Sequence, residues 1–531
     1  MTADAAKPAD RTSCLATTTG RGFTAHALAA VLLTAVVGIG YGSCVTGMVG
    51  YADDYWLLWQ WREEPARVLD VWNSAGRFVT ATLFPLLWGD ANTIGDLWRP
   101  RLAAVVGIDL LAIGIYATMR RMDYSWSFSL AMAGLTALLP TFAVYAAWAT
   151  CSGHVYGCLA ALAAFAIVDM RWKQRPAWMI PALMLGGIVA ETIALCIYQP
   201  AGMFYIVPCL LALASTGMAA WSWAATLRVG IHAAVLIAAM CAAIVIFKSS
   251  AGEAEGIDLA RRGNVTSDPF LKAARFVAQP LAQSCQPFGF TNHWHNASRI
   301  ALAFVCLGIL VPLGTFARLE GSVPNRLLRT AGLLALIPLA YLPHLVVAAD
   351  FFPYRTRAAI APAVLFVLLL AAAGGIRYLF REESRRRVVQ QVALAAVACV
   401  ALIAARYHVT HGFLVPSQIE WAIVRAEVLR EAGRDKKPEQ IVFLMPDSSR
   451  PIARRFVYDE FGYVSSSHPW TCRGMTGLAV VDVAPQSLDA LRTARFVEVA
   501  AGSPLPQTSG ATWTIDARQV NRLPPPSGGV P

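Results

Sequence analysis

Two carboxylates stand side by side at Asp53 and Asp54, a few residues beyond the first long apolar run of the chain. A carboxylate close to bilayer depth is costly unless it is hydrated, paired or functional. Neighbouring carboxylates can also divide labour, one accepting a proton or binding a metal while the other orients it. The plainer alternative is a polar cap where a helix leaves the membrane. Another acid, Glu191, falls inside an apolar stretch and is followed by Tyr198 and Gln199; an intramembrane acid is a functional hypothesis by default, set against a buried hydrogen-bonded pair. Asp109, also within an apolar stretch, reads as a bond to a neighbouring helix. His293 and His295 in TNHWHN have an HxH spacing but no third ligand, and read as imidazoles flanking an interfacial Trp. Gly38, Gly40 and Gly42 lack the GxGxxG spacing and a preceding strand, so they mark close helix packing. Near the end, YDEFGYVSSSHPW gathers Asp459, Glu460, Tyr463, His468 and Trp470, a mixture that suits sugar contacts and equally suits a turn between strands.

The elements that must position these groups are membrane helices. Of 531 residues, 56% are hydrophobic and 15% charged, with mean hydropathy +0.51, a composition that points to the bilayer. A net charge of +11 could attract nucleic acid, but the basic residues fall in short clusters between apolar runs and not on one face, so no nucleic-acid partner is expected. The eleven cysteines have no CxxC pair or metal-type spacing; Cys285 and Cys472 both belong to outward segments, where a disulfide could form. With about 20 apolar residues needed per span, eleven candidates arise, near 25–48, 102–119, 126–148, 153–169, 178–197, 201–217, 228–247, 299–317, 330–349, 358–376 and 388–405. Lys and Arg in one set of short connections number 17, from Lys7 to Arg387, whereas the opposite set holds only Arg355 and Arg357. The amino terminus is therefore expected inside and, with an odd span count, the carboxyl terminus outside.

The expected organisation is an inner segment over 1–22 and a membrane domain over 23–405 with outer loops 49–101 and 248–298. A small outer α/β domain over 406–520 and a Pro- and Gly-rich disordered tail over 521–531 complete it. The fold class is an α-helical polytopic membrane protein of about 11 transmembrane helices. The first outer loop, dense in Trp, acids and Arg, is expected as an amphipathic shelf with its rings in the headgroup layer.

The Asp53–Asp54 pair outside the first span, then Gly76-Arg77, then IGDLWRPRLAAV leading into the second span and IYQPAGMFY over 197–205, resemble the GT-C superfamily of polyprenyl-phosphate-dependent glycosyltransferases, above all its O-antigen-modifying glucosyltransferases. The resemblance runs over roughly 25–405 and implies a multi-pass protein of a bacterial inner membrane whose 406–520 domain is periplasmic. It implies transfer of a hexose, such as glucose, from a polyprenyl-phosphate carrier to a surface polysaccharide or lipid. Asp53 or Asp54 would be the essential acid. Such a transfer needs a base for the acceptor hydroxyl and positive charge for the departing phosphate. Arg77, Arg355 and Arg357 fit the second role because guanidinium matches phosphate bidentately, although Arg355 and Arg357 could equally be snorkelling side chains. Glu191, Tyr198 and Gln199 would line the lipid-phosphate or sugar cavity. No cofactor is required, while an acidic pair could attract Mg or Mn. The longer, cysteine-bearing outer tail departs from the family and leaves the acceptor open. Competing readings are a flippase for a lipid-linked sugar, a GT-C transferase acting on lipid A or protein, and an assembly subunit. A transporter commonly shows internal repeats and midplane binding groups, whereas these polar residues gather at one face.

Overall fold

The computed structural model describes residues 11–169, 176, 178–215, 223–250, 264–289, 296–434, 437–448, 460–507 and 510–522. The chain is a multi-pass, mostly helical membrane protein. Among the described residues eight helices are long and apolar enough to cross a membrane: Thr24–Thr46, Ile94–Arg121, Ala149–Val168, Met179–Ile197, Ala225–Ser249, Ala297–Arg318, Ile360–Leu379 and Glu383–Ala432. Trp126–Ala137 and Pro140–Ala147 add a ninth span bent by 52°. The bend falls where Pro140 opens the second helix, since the residue before a proline is pushed out of the helical region. The remaining two of the eleven expected spans are shorter helices, Gln199–Ala214 and Val323–Leu339.

Helix ends fall at two levels. One level carries Asp53, Arg101, Thr150, Tyr198 and Arg355. The other carries Arg120, Tyr124, Arg318, Arg329 and Arg377, where the Tyr124 hydroxyl donates to the Leu211 carbonyl and Arg329 donates to Leu213 and Ser215 carbonyls. Asp109 accepts from Thr34 Oγ1 at 2.9 Å, an interhelical bond as expected. Of the three glycines in the first span only Gly40 is closely approached, where an added Cβ would stand 3.2 Å from Leu138; Gly38 and Gly42 have open space. The close backbone contact lies instead at Gly374, where a Cβ would collide with the Gly314 backbone.

The first outer loop forms three short helices, Asp53–Glu63, Pro65–Ser74 and Phe78–Trp88. Its rings were expected in the headgroup layer, but Tyr55, Trp59, Trp72, Phe84 and Trp88 are buried in a core shared with the carboxyl-terminal region. Burying several large aromatics stabilises far more than leaving them at a polar interface. The tail supplies Trp421, Val424, Ile441, Phe443, Met475 and Leu478 to the same core.

The tail is α/β, as expected. The last span continues without a break through a wider helical turn at His408–Leu414 into Val415–Ala432, so the domain begins on a rigid extension of a membrane helix. Three parallel strands follow, β1 (Gln440–Leu444), β2 (Arg495–Val499) and β3 (Thr512–Asp516), in the order β2-β1-β3. β1 is buried throughout, as a central parallel strand should be. GLAVVDV reads as an apolar run between IVFLMP and ARFVEVA, but it is the second half of a helix, Pro469–Val483, whose buried residues include Cys472, Met475 and Leu478 at helical spacing. Cys285 and Cys472 are free and buried in separate cores, so the disulfide considered from sequence is not formed.

The helix Pro469–Val483 lies directly on Asp53–Glu63. A Cβ at Gly474 would stand 2.5 Å from the Tyr55 carbonyl oxygen, and one at Gly477 2.5 Å from the Trp59 ring. Gly474→Val should push the two helices apart at a cost of about 1–3 kcal/mol. The melting temperature of the purified protein should fall, and the tail should become more accessible to protease than in wild type. An unchanged melting curve would contradict this packing.

Candidate functional site

The two adjacent carboxylates diverge. Ala52 adopts φ 42°, rarely taken by an L residue and costing on the order of 1–3 kcal/mol, and turns the chain sharply into the helix that Asp53 opens. Its N–H donates to Ser465 Oγ at 2.9 Å. Asp54 is fully buried and accepts from Tyr51 N (3.1 Å), Ala149 N (3.3 Å), Thr150 N (2.8 Å) and Thr150 Oγ1 (2.7 Å). Arg101, equally buried, faces it at 3.6 Å and donates to the carbonyls of Ala147 (3.0 Å), Gly47 (2.7 Å) and Val49 (2.5 Å). This pair stitches together the end of the first span, the start of the second and the junction before His154. Asp53 is only half-buried, and its Oδ1 accepts a bond from Trp470 Nε1 at 3.0 Å.

Trp470 stacks on His468 with centroids 4.3 Å apart, and His468 stacks on Tyr463 at 4.5 Å, forming an aromatic tier beside Asp53. Burial pushes the His468 imidazole down, with Asp53 opposing, so the ring is neutral at neutral pH. The tier is fixed from the stalk helix, where Glu420 accepts from Ser465 N (3.2 Å), Ser466 N (2.6 Å) and Ser466 Oγ (2.5 Å).

Arg355 forms an ion pair with Glu460 at 3.1 Å, and its own N–H donates to the same carboxylate at 2.9 Å. Its guanidinium lies 4.4 Å from the Trp148 centroid and 5.0 Å from that of Phe351. The Tyr51 hydroxyl donates to the Glu460 carbonyl, so the residue two before Asp53 touches the partner of Arg355. The Asp53 charge also acts on Arg355. Arg77, the residue before helix Phe78–Trp88, sits 4.9 Å from the Tyr198 ring centroid. Tyr198 stacks on His154 at 3.9 Å, and His154 meets Tyr145, whose hydroxyl donates to the Arg355 carbonyl at 2.8 Å. A continuous sequence of contacts thus runs Arg77, Tyr198, His154, Tyr145, Arg355, Glu460 and Tyr51. Both His154 ring nitrogens are buried without a hydrogen-bond partner among the described residues.

No family model matches the chain, and no curated protein does. Among solved structures the chain is similar to ArnT from Cupriavidus metallidurans bound to undecaprenyl phosphate, at 13% identity over 88% of this chain and 89% of that one, with a TM-score of 0.33. The same protein in the apo state is similar at 14% identity, with the same coverage and a TM-score of 0.32. Neither likeness assigns a role to any residue of this chain.

The remaining sequence candidates fall elsewhere. Arg357 is buried, donates to the Phe352 carbonyl at 2.7 Å and lies over Tyr354, which braces the turn carrying Arg355. Both arginines are bound into protein, so neither snorkels to a headgroup layer. Glu191 is fully buried, and neither carboxyl oxygen has a hydrogen-bond partner among the described residues. It lies toward Cys158, Tyr205 and Cys209, on the helix that ends just before Tyr198. Gln199 opens the short helix after Tyr198 and is half-buried. His293, His295 and Asp459 lie outside the described residues. Among the described residues no three His, Cys, Asp or Glu side chains converge as a metal-binding group. Asp54 already faces Arg101 and four hydrogen-bond donors, so a cation shared by the acidic pair would have to displace them.

Sequence reasoning overlooked Arg101, His154 and Glu460 as a partner of Arg355. Arg101 had a signal: a guanidinium at the mouth of an apolar span needs an anion, and the acidic pair at the end of the previous span offers one. Burial pushes Asp54 up to about 6, with Arg101 opposing, so it is ionised at pH 7. Its folded value exceeds the ordinary 3.8, so this group favours the folded state increasingly as pH falls from about 6 toward 3.8. Melting curves of wild type and Asp54→Asn should therefore separate further in favour of wild type as pH is lowered from 7 to 5. Arg101→Met should cost about 3–5 kcal/mol by stranding the carboxylate.

Proposed function

We propose that the protein is a membrane-embedded glycosyltransferase that moves a hexose, such as glucose, from a polyprenyl-phosphate carrier to a hydroxyl of a surface polysaccharide or lipid. The observation that carries this reading is the division of the acidic pair. Asp54 is consumed by Arg101 and the backbone around it, while Asp53 keeps an accessible carboxylate beside an aromatic tier and the Arg355 cation. Aromatic faces next to a carboxylate suit a sugar, whose C–H faces stack and whose hydroxyls donate.

In the proposed reaction Asp53 takes the proton of the acceptor hydroxyl as its oxygen attacks the anomeric carbon. The bond from that carbon to the phosphate oxygen breaks, and the electron pair leaves with the polyprenyl phosphate. A single displacement of this kind inverts the anomeric centre. Arg355 stabilises the charge gained by the leaving phosphate, since five N–H donors leave it capacity beyond Glu460. Arg77, held against Tyr198, supplies a second cation. Tyr198 and Gln199 line the approach, Arg357 holds the turn in place, and Glu191 stands on the helix that ends just before Tyr198. No divalent cation is needed, because a monophosphate leaving group can be covered by guanidinium alone.

The test is transfer from a polyprenyl-phosphate hexose to an envelope acceptor by the purified full chain. Asp53→Asn should lower kcat by about 10²–10⁴-fold with an unchanged melting temperature, whereas Asp54→Asn should lower stability first. EDTA should leave the wild-type rate intact. Full activity in Asp53→Asn would remove it as the base, and lipid-sugar translocation without transfer would favour a flippase.

A further inference from the structure

At the opposite end of the bundle from Asp53, a cavity of about 650 Å³ opens between the ends of five helices. Its rim carries Arg120, Arg318, Arg377, Arg386 and Arg387, against the single carboxylate of Asp123. Two of these cations are already matched, Arg377 with Glu320 at 3.8 Å and Arg387 with Glu383 one helical turn away. Among the described residues Arg120, Arg318 and Arg386 have no carboxylate within ion-pair range, although all three are half-buried. Arg120 already donates through one terminal nitrogen to the Tyr124 carbonyl, while its Nε is buried without an acceptor among the described residues. Three half-buried arginines lining one cavity without a matching carboxylate among the described residues give a cationic rim that an anion would offset.

Beneath the rim the walls change character. Leu370 and Ile376 from one helix, with Leu394 and Val397 from another, give the cavity an apolar floor. The helix Glu383–Tyr407 buries only Ala401, Ala404 and Ala405 along its length, so it stands at the margin of the bundle and the cavity beside it borders the acyl chains. Ser125 and Gln390 add neutral hydrogen-bonding groups between the two zones.

We propose that this cavity is a binding site for an anionic phospholipid, its phosphate held by Arg120, Arg318 and Arg386 and its acyl chains lying against Leu394 and Val397. A cationic rim over an apolar floor matches a lipid headgroup at the membrane surface and gives a zwitterionic lipid no comparable gain. The five rim arginines belong to connections rich in basic residues, so the site faces the compartment opposite the Asp53 site. It rests on none of the assignments made for that site. Such a lipid would tie together the ends of Ile94–Arg121, Ala297–Arg318, Ile360–Leu379 and Glu383–Tyr407, and the last of these carries the stalk of the tail.

The test uses the purified full chain in neutral detergent, titrated with dioleoylphosphatidylglycerol, with dioleoylphosphatidylcholine or with inorganic phosphate. The phosphatidylglycerol should raise the melting temperature well above any effect of the other two. The Arg318→Gln/Arg386→Gln double variant should lose that shift, and Arg381→Gln, an exposed arginine outside the cavity, should keep it. Spin-labelled lipids on wild type alone give a second readout, with phosphatidylglycerol retained at least about five-fold more than phosphatidylcholine. Equal retention of both lipids, or a shift that survives in the double variant, would overturn the proposal. A shift produced by inorganic phosphate alone would make the cavity a small-anion site and also overturn it.

Discussion

The buried ion pair between Asp54 and Arg101 is the constraint on which the outer half of the molecule depends. Neither group touches water, and each is costly there alone. Together they fix the backbone at Gly47 and Val49, at Ala147, and at Ala149 and Thr150. These points are where the first span ends and where the broken third span gives way to the fourth. Irregular backbone at this depth needs every carbonyl and N–H satisfied internally, and the pair satisfies five of them in one place with Tyr51 N as a sixth. With Asp54 held so, the next residue back has its position set as well. Asp53 opens the same helix but points to the other side, toward Trp470.

Much of this was legible in the sequence. Apolar length located nearly every span, because membrane helices must satisfy their own hydrogen bonds and therefore read continuously. The acidic pair and Arg355 stood out because charge is rare in such a chain. The partition of the pair was not legible: adjacent residues on a helix diverge by about 100°, and which one faces inward depends on the turn at Ala52 and on Arg101. The Trp-rich loop was read as interfacial because composition cannot distinguish rings bound for lipid from rings bound for a distant tail. GLAVVDV was legible only as an apolar run because a helix buried on nearly all sides loses its amphipathic stripe. β3 was overlooked because TWTID, with one buried Trp and one buried Ile, is too short and too polar to rise above the background.

The tail contributes more than a cover. The helix Val415–Ala432 is continuous with the last span, so the sheet is referenced to the membrane domain by rigid backbone and not by a linker. Glu420 on that helix holds the turn at Ser465 and Ser466, Ser465 in turn caps the strained Ala52, and the aromatic tier ending in Trp470 follows within five residues. From the same segment Glu460 binds Arg355 of the membrane domain through both side chain and backbone. The groups around Asp53 therefore come from opposite ends of the chain, more than 400 residues apart, and their relative placement rests on buried contacts at each step. Side chains separated so widely can be held in register only if the elements bearing them cannot move independently. The shared aromatic core beneath Gly474 and Gly477 meets that requirement, since it allows the two helices no room to slide apart without exposing Tyr55 and Trp59.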